Sequence, residues 1–386
     1  MGRVLTGPGL TLALLMASLC AAAAPNPARE RWTPQQAWSY MHAQPWPLGA
    51  NFLPASAMNQ LEMFQPRSFD PAEIDREFGW AEQSGMTTMR IFLHDLLWQQ
   101  DPQGFVERID RVLELADKHH IHPVLVLFDS CWDPDPKLGP QRPPVAGVHN
   151  SGWVQSPGIA LANPDNQARF EAYVKGVVGA FASDRRILAW DVWNEPDNPG
   201  GGNYTNNLKN KTELVDQTLP RVFAWARSVG PVQPLTSGVW THGVWDDPAK
   251  WSATERIQLT ESDIVSFHDY SWPETFEARV VSLEKLGRPL LCTEYMARGS
   301  GSTIDTIVPI AARHHVGLIN WGLVQGRMQT YLPWDSWQAP YTNREPAVWF
   351  HDLFYPDGRP YRQREIDILK SASAAMRQGS VQQAHN

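Results

Sequence analysis

The chain has 386 residues, 42% of them hydrophobic and 19% charged, enough for one large domain with a full core and unlike the composition of a disordered segment. A net charge of −8, with no block of Lys or Arg, speaks against nucleic acid and anionic membrane surfaces as partners. The outlying count is 18 Trp, since an indole combines a flat apolar face with one polar handle.

Residues 1–24 read as a signal peptide. Arg3 supplies the positive region, 10–19 (LTLALLMASL) the apolar run, and Ala21 to Ala24 the small residues of a cleavage site. The mature chain is expected to start near Pro25, leaving 25–386 as one domain. The apolar run is too short to span a membrane and no later uncharged stretch is long enough. The expected product is therefore soluble and exported, secreted or periplasmic, with no membrane contact after signal removal. Leu19 is too large beside Cys20 for a good lipoprotein site. Cys131 and Cys292 remain, just after the third predicted strand and inside the seventh, on opposite sides of a closed barrel. That is too far for a disulfide, so two buried thiols are expected.

The mature chain then alternates strand and helix signals. Residues 47–52 (PLGANF) form the first strand, and 70–84 a helix capped by Asp70 with Pro71 in its first turn. Strand two is 87–93 (TTMRIFL), followed by a helix over 104–119 with apolar residues at helical spacing. Strand three is 122–128 (HPVLVLF), with its helix over 164–182. Strand four is the apolar run Ile187, Leu188, Ala189, Trp190, which closes on Asn194, Glu195 and Pro196; Pro196 cannot donate to a ladder. A helix follows at 214–228, then strand five at 234–239, strand six at 263–268 (DIVSFH) and a helix at 274–286. Strand seven, 289–294 (PLLCTE), also ends on a carboxylate, Glu294. A helix at 303–314 leads to strand eight, 317–321 (GLINW), and helical segments lie between 347 and 376.

Eight strands with helices between them predict an α/β fold, a single-domain (β/α)8 TIM barrel. The surplus over a bare barrel falls largely after strands, at 129–163, 197–210, 240–261 and 322–345, where long loops would build a deep cleft. Much of the non-core Trp is expected there: Trp132, Trp153, Trp240, Trp245, Trp272, Trp334 and Trp337. In such a barrel the strands' carboxyl ends face the active site, so Glu195 and Glu294 are the candidate catalytic pair.

In these residues the chain resembles the clan A glycoside hydrolases, retaining (β/α)8 enzymes, and most of all glycoside hydrolase family 5, the cellulase and mannanase family. The likeness covers nearly the whole mature chain. Asn194, Glu195 and Pro196 match the strand-four motif whose Glu is the acid/base, and Glu294 matches the strand-seven nucleophile. His268 and Tyr270 match the His-x-Tyr after strand six, Arg90 the strand-two Arg, and Trp321 the strand-eight Trp beside the cleaved bond.

The resemblance implies a catalytic domain over 25–386 that hydrolyses a β-linked poly- or oligosaccharide by double displacement. No cofactor or metal is implied, the partner is a carbohydrate, and a monomer is expected. Retention needs two carboxyl groups about 5–5.5 Å apart, one attacking the anomeric carbon and one protonating the leaving oxygen before activating water. Arg90 and the Tyr270 hydroxyl can lower the pKa of Glu294 and orient it, while Glu195 needs a raised pKa from partial burial and the charge opposite. Asn194 would hydrogen-bond the sugar 2-hydroxyl. Many family members place a His at the end of strand three, where this chain has Phe128, Asp129, Ser130, Cys131 and Trp132; Asp129 is a candidate replacement contact.

Other readings of the same residues stay open. Arg90 could neutralise Asp191, His268 could be a satisfied rim histidine, and Trp321 could be core. His119, His120, His314 and His315 precede strands and lack carboxylates at ligand spacing, which makes them surface residues. Exo-action, transglycosylation and a catalytically inactive carbohydrate-binding barrel remain as alternatives to endo-hydrolysis.

Overall fold

The structure, a computed structural model, describes residues 1–2, 26–241, 243 and 245–384. The expected signal peptide, apart from its first two residues, lies outside the described residues. Eight strands, β1 (Leu48–Phe52), β2 (Thr88–Phe92), β3 (Val124–Val126), β4 (Ala189–Asp191), β5 (Leu235–Thr236), β6 (Val265–His268), β7 (Leu290–Tyr295) and β8 (Gly317–Asn320), pair in the order β5-β4-β3-β2-β1-β8-β7-β6. Every registered pair is parallel. The ends of that order meet through Val239: its N–H donates to Ser266 O at 3.1 Å, and its carbonyl accepts from His268 N at 2.9 Å. The sheet is thus a closed (β/α)8 barrel.

β5 is shorter than the expected 234–239 because Ser237 turns out of the ladder. Its N–H donates to Ser262 Oγ at 3.2 Å and its hydroxyl to Trp193 O at 2.8 Å. All strand residues are buried, as expected where helices cover the outer faces and side chains fill the interior.

The helices are α1 (Pro34–His42), α2 (Gln60–Phe64), α3 (Pro71–Gln83), α4 (Asp95–Gln100), α5 (Pro102–Lys118), α6 (Gln167–Ala180), α7 (Lys211–Ser228), α8 (Ala253–Glu261), α9 (Pro273–Glu284), α10 (Ile304–Arg313) and α11 (Gln363–Ala384). α3 starts as its sequence predicts: Asp70 accepts from Ala72 N and Glu73 N, and Pro71 sits where no donor is needed. α8 corrects the reading of 240–261 as loop. Its signal was present, since Ser252 and Glu255 form a capping box.

α1, also unforeseen, opens with a capping box of Thr33 and Gln36 and closes the barrel floor. Ala37 packs there among Val124, Leu188, Ile264, Leu291 and Ile319. The helical expectation for 347–376 holds only from Gln363. Before it, Phe354 pairs with Pro360 in a tight reversal that needs the left-handed Gly358, φ +84°.

The paired histidines have carboxylate partners after all, supplied by neighbouring helices rather than by their own segments. His119 bonds Asp75 at 2.8 Å and Glu82 at 2.9 Å, both from α3, and His314 bonds Glu284 at 2.8 Å and Glu277 at 3.2 Å, both from α9. They tie helix to helix on the outside of the barrel.

Candidate active site

β4 and β7 carry Glu195 and Glu294 to the carboxyl rim, and two backbone irregularities aim them. Glu195 has φ +40°, a left-handed conformation rare for a side-chain residue, which closes a turn by accepting Asn198 N at 2.9 Å. On β7 the pairing skips Thr293: Phe267 faces Cys292, but His268 faces Glu294. Such a bulge re-aims the side chain that follows it. As a result, oxygens of both carboxylates and a nitrogen of His268 lie within 4.8 Å of one another.

Arg90 on β2, fully buried, holds one side of the group. Its Nη1 donates to Glu294 Oε1 at 3.0 Å and to Asn51 Oδ1 at 2.9 Å. Its Nη2 donates to Asp191 Oδ2 at 2.7 Å and to Asn194 Oδ1 at 2.6 Å. Arg90 thus contacts Asp191 and Glu294 at once, because a guanidinium fork has donors for several acceptors. Tyr270 donates its hydroxyl to Glu294 Oε2 at 2.8 Å. On Glu195, Oε1 is 2.7 Å from His268 Nδ1, and Oε2 accepts from Asn198 Nδ2 at 2.5 Å and from the Cys131 thiol at 3.2 Å.

Burial pushes both carboxyl groups above their ordinary range. This corrects the expectation that Arg90 and Tyr270 bring Glu294 down: they oppose its burial without overcoming it. The two residues still differ. Glu294 touches a fixed cation, whereas the direct partners of Glu195 are neutral. Burial lowers the pKa of His268 to about 4, so its contact with Glu195 is a hydrogen bond rather than an ion pair. It also raises the Cys131 thiol well above its usual value, so the thiol donates. Of the two, Glu294 is the better placed to carry charge, with the Arg90 guanidinium beside it.

A cavity of about 290 Å³ opens over these groups, its wall including Trp132, Asn150, Trp240, Trp321 and Trp334. Trp321 is 7% exposed and packs edge-on against Phe92 and Trp153, so it is both cavity wall and core. Trp153, at 2%, is likewise both cavity wall and core, whereas Trp245, at 0%, is core, contrary to its expected place among the non-core Trp. Trp132 stacks on Trp337 at 5.2 Å between centroids, joining the loops that follow β3 and β8.

Asn194 Nδ2 donates to Asp129 Oδ1 at 2.8 Å, and Trp153 Nε1 to Asp129 Oδ2 at 2.5 Å. Asp129, its pKa raised to about 6 by burial, thereby orients Asn194 instead of standing free for a ligand. Both cysteines are buried free thiols.

Sequence reasoning missed Cys131, Asn198, Asn150 and Lys211. Lys211 is 5% exposed, donates to Ser130 O at 2.8 Å, and has a pKa lowered to about 8 by burial. Only the place of Cys131 and Asn198, close behind the ends of β3 and β4, could have flagged them. As two carboxylates and an imidazole, Glu195, Glu294 and His268 also offer donor atoms close enough for a single divalent cation.

No family model matches the chain. Over 280 residues it is 21% identical to a probable mannan endo-1,4-β-mannosidase F of Aspergillus flavus, a match covering 62% of this chain and 56% of that one. A shorter match, 26% identical over 144 residues, is to a probable mannan endo-1,4-β-mannosidase A-1 of Aspergillus terreus and covers 32% of this chain and 35% of that one. The chain therefore spans less than two thirds of the length of these relatives.

Among solved structures, an exo-β-1,4-mannosidase from Opitutaceae bacterium strain TAV5 superposes with a TM-score of 0.56 at 17% identity, over 86% of this chain and 60% of that one. The endo-β-1,4-mannanase from Thermotoga petrophila does so with a TM-score of 0.54 at 12% identity, over 88% and 78%. At such identities the likeness is one of fold. The barrel, the carboxylate pair and the names of the curated relatives agree with the resemblance to the clan A glycoside hydrolases, family 5 among them.

Proposed function

We propose that this chain is a retaining glycoside hydrolase that cleaves a β-linked glycan within the chain, with mannan as the first substrate to try because its curated relatives bear mannan endo-1,4-β-mannosidase names. The observation that carries the reading is the approach of Glu195 and Glu294 to within 4.8 Å. Carboxyl groups whose nearest oxygens approach this closely suit double displacement better than inversion, for which the groups stand about 6.5–9.5 Å apart to admit a water.

Glu294, ionised and held by Arg90 and Tyr270, attacks the anomeric carbon. As the glycosidic bond breaks, Glu195 gives its proton to the departing oxygen, and a glycosyl ester forms on Glu294. Esterification removes the negative charge opposite Glu195 and lets it ionise. Glu195 then takes a proton from water, whose oxygen attacks the same carbon from the vacated side and releases Glu294. Asn194, fixed by Arg90 and Asp129, would meet the sugar 2-hydroxyl.

The test is release of reducing ends from mannans, β-glucans and xylans, with Glu294→Ala and Glu195→Gln alongside the parent. We expect one polysaccharide to be cut, Glu294→Ala to be inactive, and Glu195→Gln to lose about 10²–10⁴-fold in kcat. Turnover should survive a chelator; its loss and recovery on adding a divalent cation would favour a metal held by Glu195, His268 and Glu294. Binding without turnover in the parent would leave a carbohydrate-binding barrel. Export belongs to the same proposal and rests on residues 1–24, so an N-terminus near Pro25 on the protein recovered outside the cytoplasm is the expected result.

A further inference from the structure

Three features of Lys211 work against a charged side chain. It is 5% exposed, it opens α7, where a helix presents the positive end of its dipole, and among the described residues it forms no ion pair. Burial brings its pKa down to about 8, against the pull of Cys131, Asp129 and Glu195. No step of the double displacement uses it.

What the ammonium does hold is one carbonyl, that of Ser130, at 2.8 Å. The Ser130 carbonyl and the Cys131 N–H are two edges of a single planar peptide. The second edge is held as well, by Asp129 Oδ1 at 3.1 Å. With both edges fixed the plane cannot turn, and the side chain that leaves it at Cys131 has a set direction. The sulfur then sits between two residues at the end of β4, donating to Glu195 Oε2 at 3.2 Å and accepting from Asn194 Nδ2 at 3.5 Å.

Ser130 is fastened to the same turn. Its N–H donates to Asn194 O at 3.2 Å and its hydroxyl to Pro196 O at 3.1 Å, while Trp193 Nε1 donates to that hydroxyl at 2.9 Å. Residues 129–131 and 193–196 are thereby bound into one unit, and Lys211 is the tie that α7 supplies to it. Its charge also favours the ionised form of Glu195, though less than the Asn198 and Cys131 bonds do.

We propose that Lys211 is a positioning residue for acid catalysis: by holding the Ser130 carbonyl it keeps the Cys131 thiol on Glu195, and through that contact it aims the Glu195 carboxyl at the departing oxygen. The inference rests on the glycoside hydrolase reading of Glu195. An apolar side chain in place of Lys211 leaves the carbonyl unpaired and the peptide free to turn, and small errors of placement are costly to the reacting groups.

Lys211→Met keeps the stem and removes the ammonium, while Lys211→Arg keeps a charged donor. The probes are aryl β-mannobiosides and β-cellobiosides with leaving groups from 2,4-dinitrophenol, which departs without a proton, to phenol, which needs one. For Lys211→Met, kcat/KM on the phenyl glycosides should fall about 10- to 100-fold, and on the dinitrophenyl glycosides by less than about threefold. Lys211→Arg should recover most of the phenyl activity. Cys131→Ala should show the same pattern, and Lys211→Met added to it should cost nothing more, as expected of two residues on one path. The infrared S–H band of Cys131, assigned by its loss in Cys131→Ala, should move toward that of an unbonded thiol in Lys211→Met.

Equal losses on both leaving groups overturn the proposal, since a merely looser fold slows every substrate alike. So do losses that add in the double variant, and so does an S–H band that stays in place. If Lys211→Met does not fold, the same comparisons are read from Lys211→Gln, whose shorter side chain gives up the contact. A parent that cuts none of the glycosides defeats the hydrolase reading alone, and the S–H band still decides the hold of Lys211 on Cys131.

Discussion

Glu195 is pulled two ways. Burial favours its acid form, while Asn198 at 2.5 Å and the Cys131 thiol at 3.2 Å donate to Oε2 and favour the ionised form; the proposed double displacement uses the two forms in turn. Burial is the stronger, but the two donors keep the second state within reach. Removing one donor should tilt the balance further toward the acid. Asn198→Ala is therefore expected to move the alkaline limb of the kcat/KM profile to higher pH, with the acid limb nearly unmoved. An alkaline limb that stays in place would mean that it reports a group other than Glu195.

The loop after β7 is tied to α11 by one buried pair. Arg298 sends Nε to Glu365 Oε1 at 2.8 Å and Nη2 to Glu365 Oε2 at 2.6 Å, and it also donates to the carbonyls of Trp349, His351 and Asp352. The segment carrying Phe350 and His351 is thereby held beneath Trp334, which stacks edge-on against Tyr270 at 5.2 Å between centroids. Stability and site geometry are coupled through this element. Arg298→Met leaves buried Glu365 with only the longer pair to half-exposed Arg362 at 3.6 Å, at a cost toward the lower end of about 3–5 kcal/mol in denaturant unfolding. Replacing both partners at once, Arg298→Met with Glu365→Leu, should recover much of that loss. A single variant as stable as the parent would show that the fork contributes nothing to holding α11.

Over the whole molecule, buried titratable groups set how stability follows pH. Glu77 has a pKa raised from 4.5 to about 8 and Asp352 from 3.8 to about 7, both chiefly by burial. Between those limits the folded chain keeps protons that the unfolded chain has released, so rising pH destabilises it. His149 and His268, lowered from 6.5 to about 4, act in the opposite sense and only below 6.5, where the unfolded chain takes up protons that the folded chain refuses. The two effects offset each other in mildly acidic solution; above pH 6.5 the carboxyls dominate until Lys211, lowered from 10.5 to about 8 by burial, begins to act in the opposite sense near pH 8. The melting temperature should therefore fall between pH 6.5 and 8. Glu77→Gln, which keeps an acceptor for the Ala55 amide at 3.1 Å, should flatten that fall. An equally steep fall in the variant would remove Glu77 from the account.

What the sequence determined by itself was whatever is written in neighbouring residues. Each strand is a short apolar run, so all eight were legible, and with them the barrel. Glu195 and Glu294 were legible because each ends such a run. Asp70 and Pro71 mark α3, and the Ser252 and Glu255 box marks α8.

The tertiary structure alone decided the rest. Asn150 is 45 residues from Glu195 in sequence (195 − 150), and only the docking of the loops that follow β3 and β8 puts both in one cavity. Cys131 and Lys211 acquired their surroundings in the same way, from segments that composition and periodicity describe only as loop and helix start. The net direction of the Glu294 pKa could not be read either. Its partners Arg90 and Tyr270 were visible as residue types, but the depth of burial that outweighs them is a sum over the whole fold. Local pattern fixes which face of a segment turns inward; how much water the packed segments exclude from a given carboxylate depends on all of them together.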